Sequence, residues 1–114
     1  MAIISYSTIH TAAAGESGEI VVLRIPEGRK FKLKRAIVGS SGDVDSRVDI
    51  AIYFGGEQIL PKTGWLPAYY FAMTTIADFE FDGGTELVAK YVNRDTANAR
   101  TFYIIVEGEL LKTD

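Results

Sequence analysis

The chain holds one histidine, His10, and no cysteine. A lone imidazole builds neither a Ser–His–Asp triad nor a His- or Cys-ligated zinc site. Disulfides and cysteine nucleophiles are excluded outright. His10 alternates with Tyr6 and Thr8, which reads as a surface or interface position on a strand. Carboxylates, amines and aromatic rings are left to carry any chemistry. Asp43, Asp45 and Asp49 stand at odd-numbered positions where a Gly/Ser-rich stretch runs into a strand. Such spacing can present oxygen ligands to Ca²⁺, but the EF-hand spacing and its bidentate Glu are missing, so a solvated acidic loop competes with a metal site.

Asp78, Glu80 and Asp82 share one strand face, and Lys30, Lys32 and Lys34 share another, because strand side chains alternate with period two. The rows can be solvated guards against edge aggregation, cross-strand partners within the chain, or complementary patches between copies. Acid–base catalysis would need a carboxylate pair with split pKa values. Asp78 and Glu80 are the nearest candidates, and no partner base stands near them in sequence. The lysine row, with Phe31 and Phe102, has the make-up of a nucleic-acid groove. A net charge of −3 argues against phosphate binding.

Trp65, Tyr69, Tyr70 and Phe71, followed by Met73, concentrate apolar area in a segment that begins between Pro61 and Pro67. They can plug a core, form a protein contact surface, or, as Trp65, Tyr69 and Tyr70, make a platform for sugar rings. Gly55-Gly56 and Gly83-Gly84 lie in hairpin-like turns with no helix after them, so they do not form a phosphate loop. None of these residues asks for a cofactor.

The elements that must hold these side chains are strands. Val48, Ile50, Ile52 and Phe54 alternate with Asp49, Ala51 and Tyr53, and Gly55-Gly56 then supplies the positive φ of a tight hairpin. Ile20 to Ile25, Phe31 to Ile37, Phe79 to Phe81, Glu86 to Val92 and Phe102 to Val106 repeat the pattern, with Phe31, Leu33 and Ile37 in one row. Ala12-Ala13-Ala14 could start a helical turn that Gly15 and Gly18 cut short. About eight short strands separated by turn signals predict an all-β, antiparallel sandwich of jelly-roll or Greek-key plan. A chain of 114 residues, 47% hydrophobic and 24% charged, suits a single domain over 1–114. Residues 1–14 form either an edge strand or an N-terminal arm that adds to a neighbour's sheet. No apolar run approaches the about 20 residues of a membrane helix. Met1–Tyr6 lacks the basic and apolar regions of a signal peptide, so synthesis in the cytoplasm is expected.

Ile25-Pro26-Glu27-Gly28, Val48 through Pro61, Phe81 through Leu87 and Thr101 through Glu109 form a series of turns and strands. That arrangement resembles small jelly-roll structural proteins of tailed phages and archaeal viruses. The resemblance implies a non-enzymatic virion component of decoration, spike or minor capsid type. It also implies homo-oligomers and other virion proteins as partners, while the net charge of −3 and the short apolar runs lead to no expectation of nucleic acid or membrane. A carbohydrate-binding sandwich using Trp65, Tyr69 and Tyr70 is the alternative.

Overall fold

The computed structural model describes residues 3–40, 47–68 and 73–112, with the backbone alone at 3 and 73–78. Among these residues nine strands form: β1 (Ile3–Ala12), β2 (Ser17–Arg24), β3 (Arg29–Ser40), β4 (Val48–Phe54), β5 (Glu57–Leu60), β6 (Leu66–Ala68), β7 (Met73–Asp82), β8 (Glu86–Asn93) and β9 (Arg100–Lys112). Their antiparallel pairings are nested: β1 with β9, β2 with β8, β3 with β7, and β4 with both β5 and β6. The chain is therefore one long hairpin. Rolling it up sets β3 beside β9 and β4 beside β8. Two sheets result, ordered β1-β9-β3-β7 and β2-β8-β4-β5, with β6 on the remaining half of β4. This is the jelly-roll order of an all-β sandwich.

The inner faces follow the alternation. Phe31, Leu33, Phe102, Ile104 and Val106 from the first sheet meet Val48, Ile50, Ile52, Leu87 and Ala89 from the second, all fully buried. Each large side chain buried this way contributes about 1.5–3 kcal/mol. Phe54 and Phe81 stack across the sandwich with ring centroids 3.6 Å apart. On β9 the inward row continues to Gly108, where a Cβ would lie 2.2 Å from the Lys32 carbonyl oxygen and 2.7 Å from the Phe31 ring.

Two local readings are corrected. A bulge shifts the β3 register between Leu33 and Arg35. Inward positions therefore run Phe31, Leu33, Ala36, Val38, and Ile37 turns to the outer face, half-buried. The inserted residue reverses the phase of everything after it. Ala12 to Ala14 start no helical turn. Ala12 ends β1, and the Glu16 amide donates to the Ala13 carbonyl at 3.0 Å in a tight turn that passes the chain to β2 in the other sheet. The Gly55-Gly56 hairpin forms as expected, with φ of 57° and 86° between β4 and β5. Residues 3–12 are an edge strand of the chain's own first sheet.

The segment after β8 is more ordered than its polar composition suggests. Asn93 is 1% exposed. Its Nδ2 donates to the carbonyls of Ala12 (3.3 Å), Ala13 (3.0 Å) and Asn98 (3.1 Å), and its Oδ1 accepts from the Asp95 amide. Asp95 in turn accepts from the amides of Ala97 and Asn98 and from the Arg100 guanidinium at 2.7 Å. The Ala97 amide and Arg100 together hold the Asp95 carboxyl well below the usual carboxylate range. The folded state thus keeps this proton off where the unfolded chain binds it. Its stabilisation is complete above the ordinary Asp pKa of about 4 and fades as pH falls below that. Asp95→Asn is expected to lower Tm at neutral pH and to flatten the acid limb of a Tm-versus-pH series. An acid limb as steep as wild type would rule the account out. Glu16 and Glu107 are shifted the same way by Tyr91 and Arg35, so the slope shrinks without vanishing.

Candidate functional site

The outer face of the second sheet collects side chains suited to binding. β4 points Asp49, Ala51 and Tyr53 outward, opposite Val92, Lys90 and Val88 of β8. The Lys90 ammonium sits 4.3 Å over the Tyr53 ring, a favourable cation–π placement. The Tyr53 hydroxyl donates to Gln58 Oε1 at 3.1 Å, and Gln58 Nε2 donates to the Gly64 carbonyl at 2.9 Å. That second bond fixes the backbone immediately before Trp65. Trp65 is 39% exposed, one of few large hydrophobic side chains so exposed among the described residues. Arg94 lies 6.0 Å from the Trp65 ring and its Nε donates to Asp49 Oδ2. The Arg94 amide also bonds the Arg47 carbonyl at 2.6 Å. An aromatic ring, a guanidinium and a carboxylate are thus held together on a solvent-facing surface.

The segment expected to carry the aromatics is held by β6. Its Ala68 carbonyl accepts from Ser40 Oγ at 2.5 Å, which fastens it to β3. Of the aromatic candidates, Trp65 falls on this surface, while Tyr69, Tyr70 and Phe71 lie outside the described residues. Asp43 and Asp45 lie outside them too. Asp49, the third member of that acidic set, pairs with Arg94. No group of three His, Cys, Asp or Glu placed to hold a metal occurs among the described residues.

The lysine and carboxylate rows are brought together within one chain, on the outer face of the first sheet. Lys30 is registered with Asp82 and Lys32 with Glu80, and Lys30 Nζ reaches Asp82 Oδ1 at 4.0 Å. Lys34 falls at the bulge, and Asp78 lies on β7 two positions before Glu80. Arg35 pairs with Glu107 beside this ladder. Exposed pairs of this kind contribute at most about 1 kcal/mol each.

His10 faces inward between the sheets. Its Nε2 lies 3.0 Å from the Tyr91 hydroxyl and 3.4 Å from Glu16 Oε2, and Tyr91 donates to Glu16 at 2.6 Å. Its ring is 4.9 Å from Tyr91 and 5.6 Å from Phe102. Gly18 leaves room for this cluster, since a Cβ there would lie 2.9 Å from the Tyr91 hydroxyl. Burial and the bond to Glu16 push the Tyr91 hydroxyl up to about 12, and the Tyr91 and His10 bonds lower Glu16. A general acid–base pair needs both groups near the working pH. Here the two move apart, so the proton stays on Tyr91 and the cluster acts as a hydrogen-bonded staple between β1, the following turn and β8.

A shallow cleft of about 420 Å³ lies at one end of the second sheet, lined by Arg24, Gly55, Gly56, Gly84, Thr85, Glu86 and Val88. Its charged groups, Arg24 and Glu86, pair with each other at 3.6 Å.

No protein-family model matches the chain, and no curated protein matches it in sequence. Among solved structures, the chain is similar to one from the acidic stable capsid of Helicobacter pylori bacteriophage KHP30, at 11% identity, over 99% of each chain, with a TM-score of 0.48. It is also similar to a family 35 carbohydrate binding module from Clostridium thermocellum, at 10% identity, over 93% of this chain and 98% of that one, with a TM-score of 0.48.

Sequence reasoning singled out Trp65 but missed Arg94 beside its ring, Gln58, which bonds the Gly64 carbonyl, and Lys90, which lies over Tyr53. Tyr53 was legible as outward-facing from the β4 alternation. The others become neighbours only through strand register.

Proposed function

We propose that this chain is a non-enzymatic structural protein of a virion, of minor capsid, decoration or spike type. In this reading it works in several copies by presenting a rigid surface to other proteins. The carrying observation is the outer face of the second sheet, where Trp65, Arg94 and Asp49 lie together near the Lys90–Tyr53 pair. Trp, Tyr and Arg are the residues that dominate interface energetics, and here their side chains are held before any partner arrives. The sequence resemblance to small jelly-roll virion proteins supplies the setting. The test is co-sedimentation of the purified protein with shells of the virus that encodes it. Trp65→Ala is expected to weaken shell binding at least about tenfold, a loss of about 1.4 kcal/mol or more. Its Tm should stay close to wild type, because the ring is substantially exposed. Shell binding indifferent to Trp65→Ala, or no binding at all, would reject this reading.

A sugar platform is the second reading, favoured by a ring flanked by a carboxylate and a guanidinium. Stacking on a sugar needs an open ring face, and Arg94 already lies over the Trp65 ring. The protein-contact reading is therefore preferred. Glycan-array binding lost in Trp65→Ala would reverse that order.

A further inference from the structure

The two sheets end in edge strands, and most of these carry features that stop a sheet from adding another strand. β7 holds Asp78, Glu80 and Asp82, and its register against β3 shifts. β2 holds Glu19 and Arg24 and shifts against β8. β5 and β6 are four and three residues long, and β6 contains Pro67. Charge, bulges, short length and proline are the usual guards of an edge. β1 has none of them. Its ten residues, Ile3 to Ala12, include no Asp, Glu, Lys, Arg or Pro, and they pair with β9 without a shift. Among the described residues, no strand lies on its other side. Its outward Ile9 is 74% exposed.

We infer that β1 is a self-association edge, pairing antiparallel with β1 of a second copy about a two-fold axis. The two β1-β9-β3-β7 sheets then join into one. A two-fold contact is self-complementary by construction. An uncharged strand meets its own copy without the like-charge repulsion that a charged edge would bring. The residues also match. Centred on Thr8, the pairing sets Thr8 against Thr8 and Ser7 against Ile9 of the second copy. Each Ile9 then lies diagonal to its counterpart, within reach of it. The apolar strip continues inward on both sides of the axis. Tyr103 is registered with Ile9 and packs over Gly39, and Ile105 is registered with Ser7 and Ile37. The pairing therefore covers the exposed isoleucine and extends a surface that is already apolar.

This inference deepens the assembly reading and rests on it for its purpose, but it fails separately. A monomeric chain that still binds shells would overturn the edge pairing alone. A dimer that ignores shells would overturn the assembly reading alone.

The experiment is sedimentation velocity over a concentration series from micromolar to hundreds of micromolar. Wild type is expected to rise toward twice the 12.5 kDa chain mass. Ser7→Lys combined with Ile9→Lys places two guards on exposed positions and is expected to stay at the monomer mass throughout, with unchanged circular dichroism. Val21→Lys, at an exposed valine of the other sheet, is the control and is expected to dimerise as wild type does. A wild type that remains monomeric, a lysine double variant that still doubles, or a control that is equally monomeric would overturn the inference.

Discussion

Gly108→Ala is expected to cost about 3 kcal/mol or more of folding free energy, a fall in Tm of at least about 12 °C. The added methyl group has nowhere to go. It would meet the Lys32 carbonyl oxygen at 2.2 Å and the Phe31 ring at 2.7 Å. The carbonyl belongs to the backbone of the neighbouring strand, registered here as Leu33 opposite Gly108, so it cannot rotate aside. Phe31 is fully buried, and its ring also touches Tyr6 edge-on at 6.1 Å. Relief therefore requires parting β3 from β9 in the middle of the first sheet. Gly56→Ala is the informative contrast. Gly56 has φ of 86° but nothing within 4 Å of its would-be Cβ. Only backbone strain opposes it, and its cost should be about 1–2 kcal/mol. Urea unfolding of the two variants separates these mechanisms. Equal costs would refute the close-approach account of Gly108.

Asn93→Leu should be comparably severe, at about 3 kcal/mol. Leucine suits the apolar surroundings better than asparagine and would stabilise a site that merely needed filling. This site needs hydrogen bonds. The substitution removes the donor to the Ala12 and Asn98 carbonyls and the acceptor for the Asp95 amide. The Ala13 carbonyl retains the Glu16 amide. Each buried polar group left unpaired costs about 1–3 kcal/mol, and the added apolar contact offsets part of that. The urea midpoint should fall at an unchanged m-value. A midpoint at or above that of wild type would show that water replaces the lost bonds.

The strand faces of β4, β8 and β9 were legible because their alternation is unbroken and each has one buried side. The bulge in β3 was not, because Lys34 and Arg35 are both hydrophilic and either can take the outward position. Ile37 was misplaced for that reason. β1 was legible as a strand but not in its orientation, since Ser, Thr and Tyr give its two faces nearly equal polarity. His10 therefore read as surface, although it turns inward to Tyr91 and Glu16. Both charged rows were visible in the sequence, but their adjacency was not. It depends on the register of β3 against β7, strands separated by most of the second sheet. Asn93 opens a stretch, Asn93 to Ala99, whose polar composition gives no sign of burial. Its burial follows from backbone groups that converge only once β1, β8 and β9 are in place. Trp65 stood out by type, and its partner Arg94 lies in a polar segment with no local signal.

The nested pairing also governs how the fold is reached. Among the described residues, only β4 and β5 close through a tight hairpin. β3–β7, β2–β8 and β1–β9 each bridge a progressively longer stretch of chain, and the outermost rung joins Ile3 to Glu109. Bringing such distant segments together costs entropy before contacts repay it, so topologies of this kind fold on the slow side, in milliseconds to seconds. During synthesis the pairs become available from the middle of the chain outward. β1 is made first and acquires its partner last. Among the described strands, the edge without charge, bulge or proline is thus also the one that spends longest unpaired in the nascent chain.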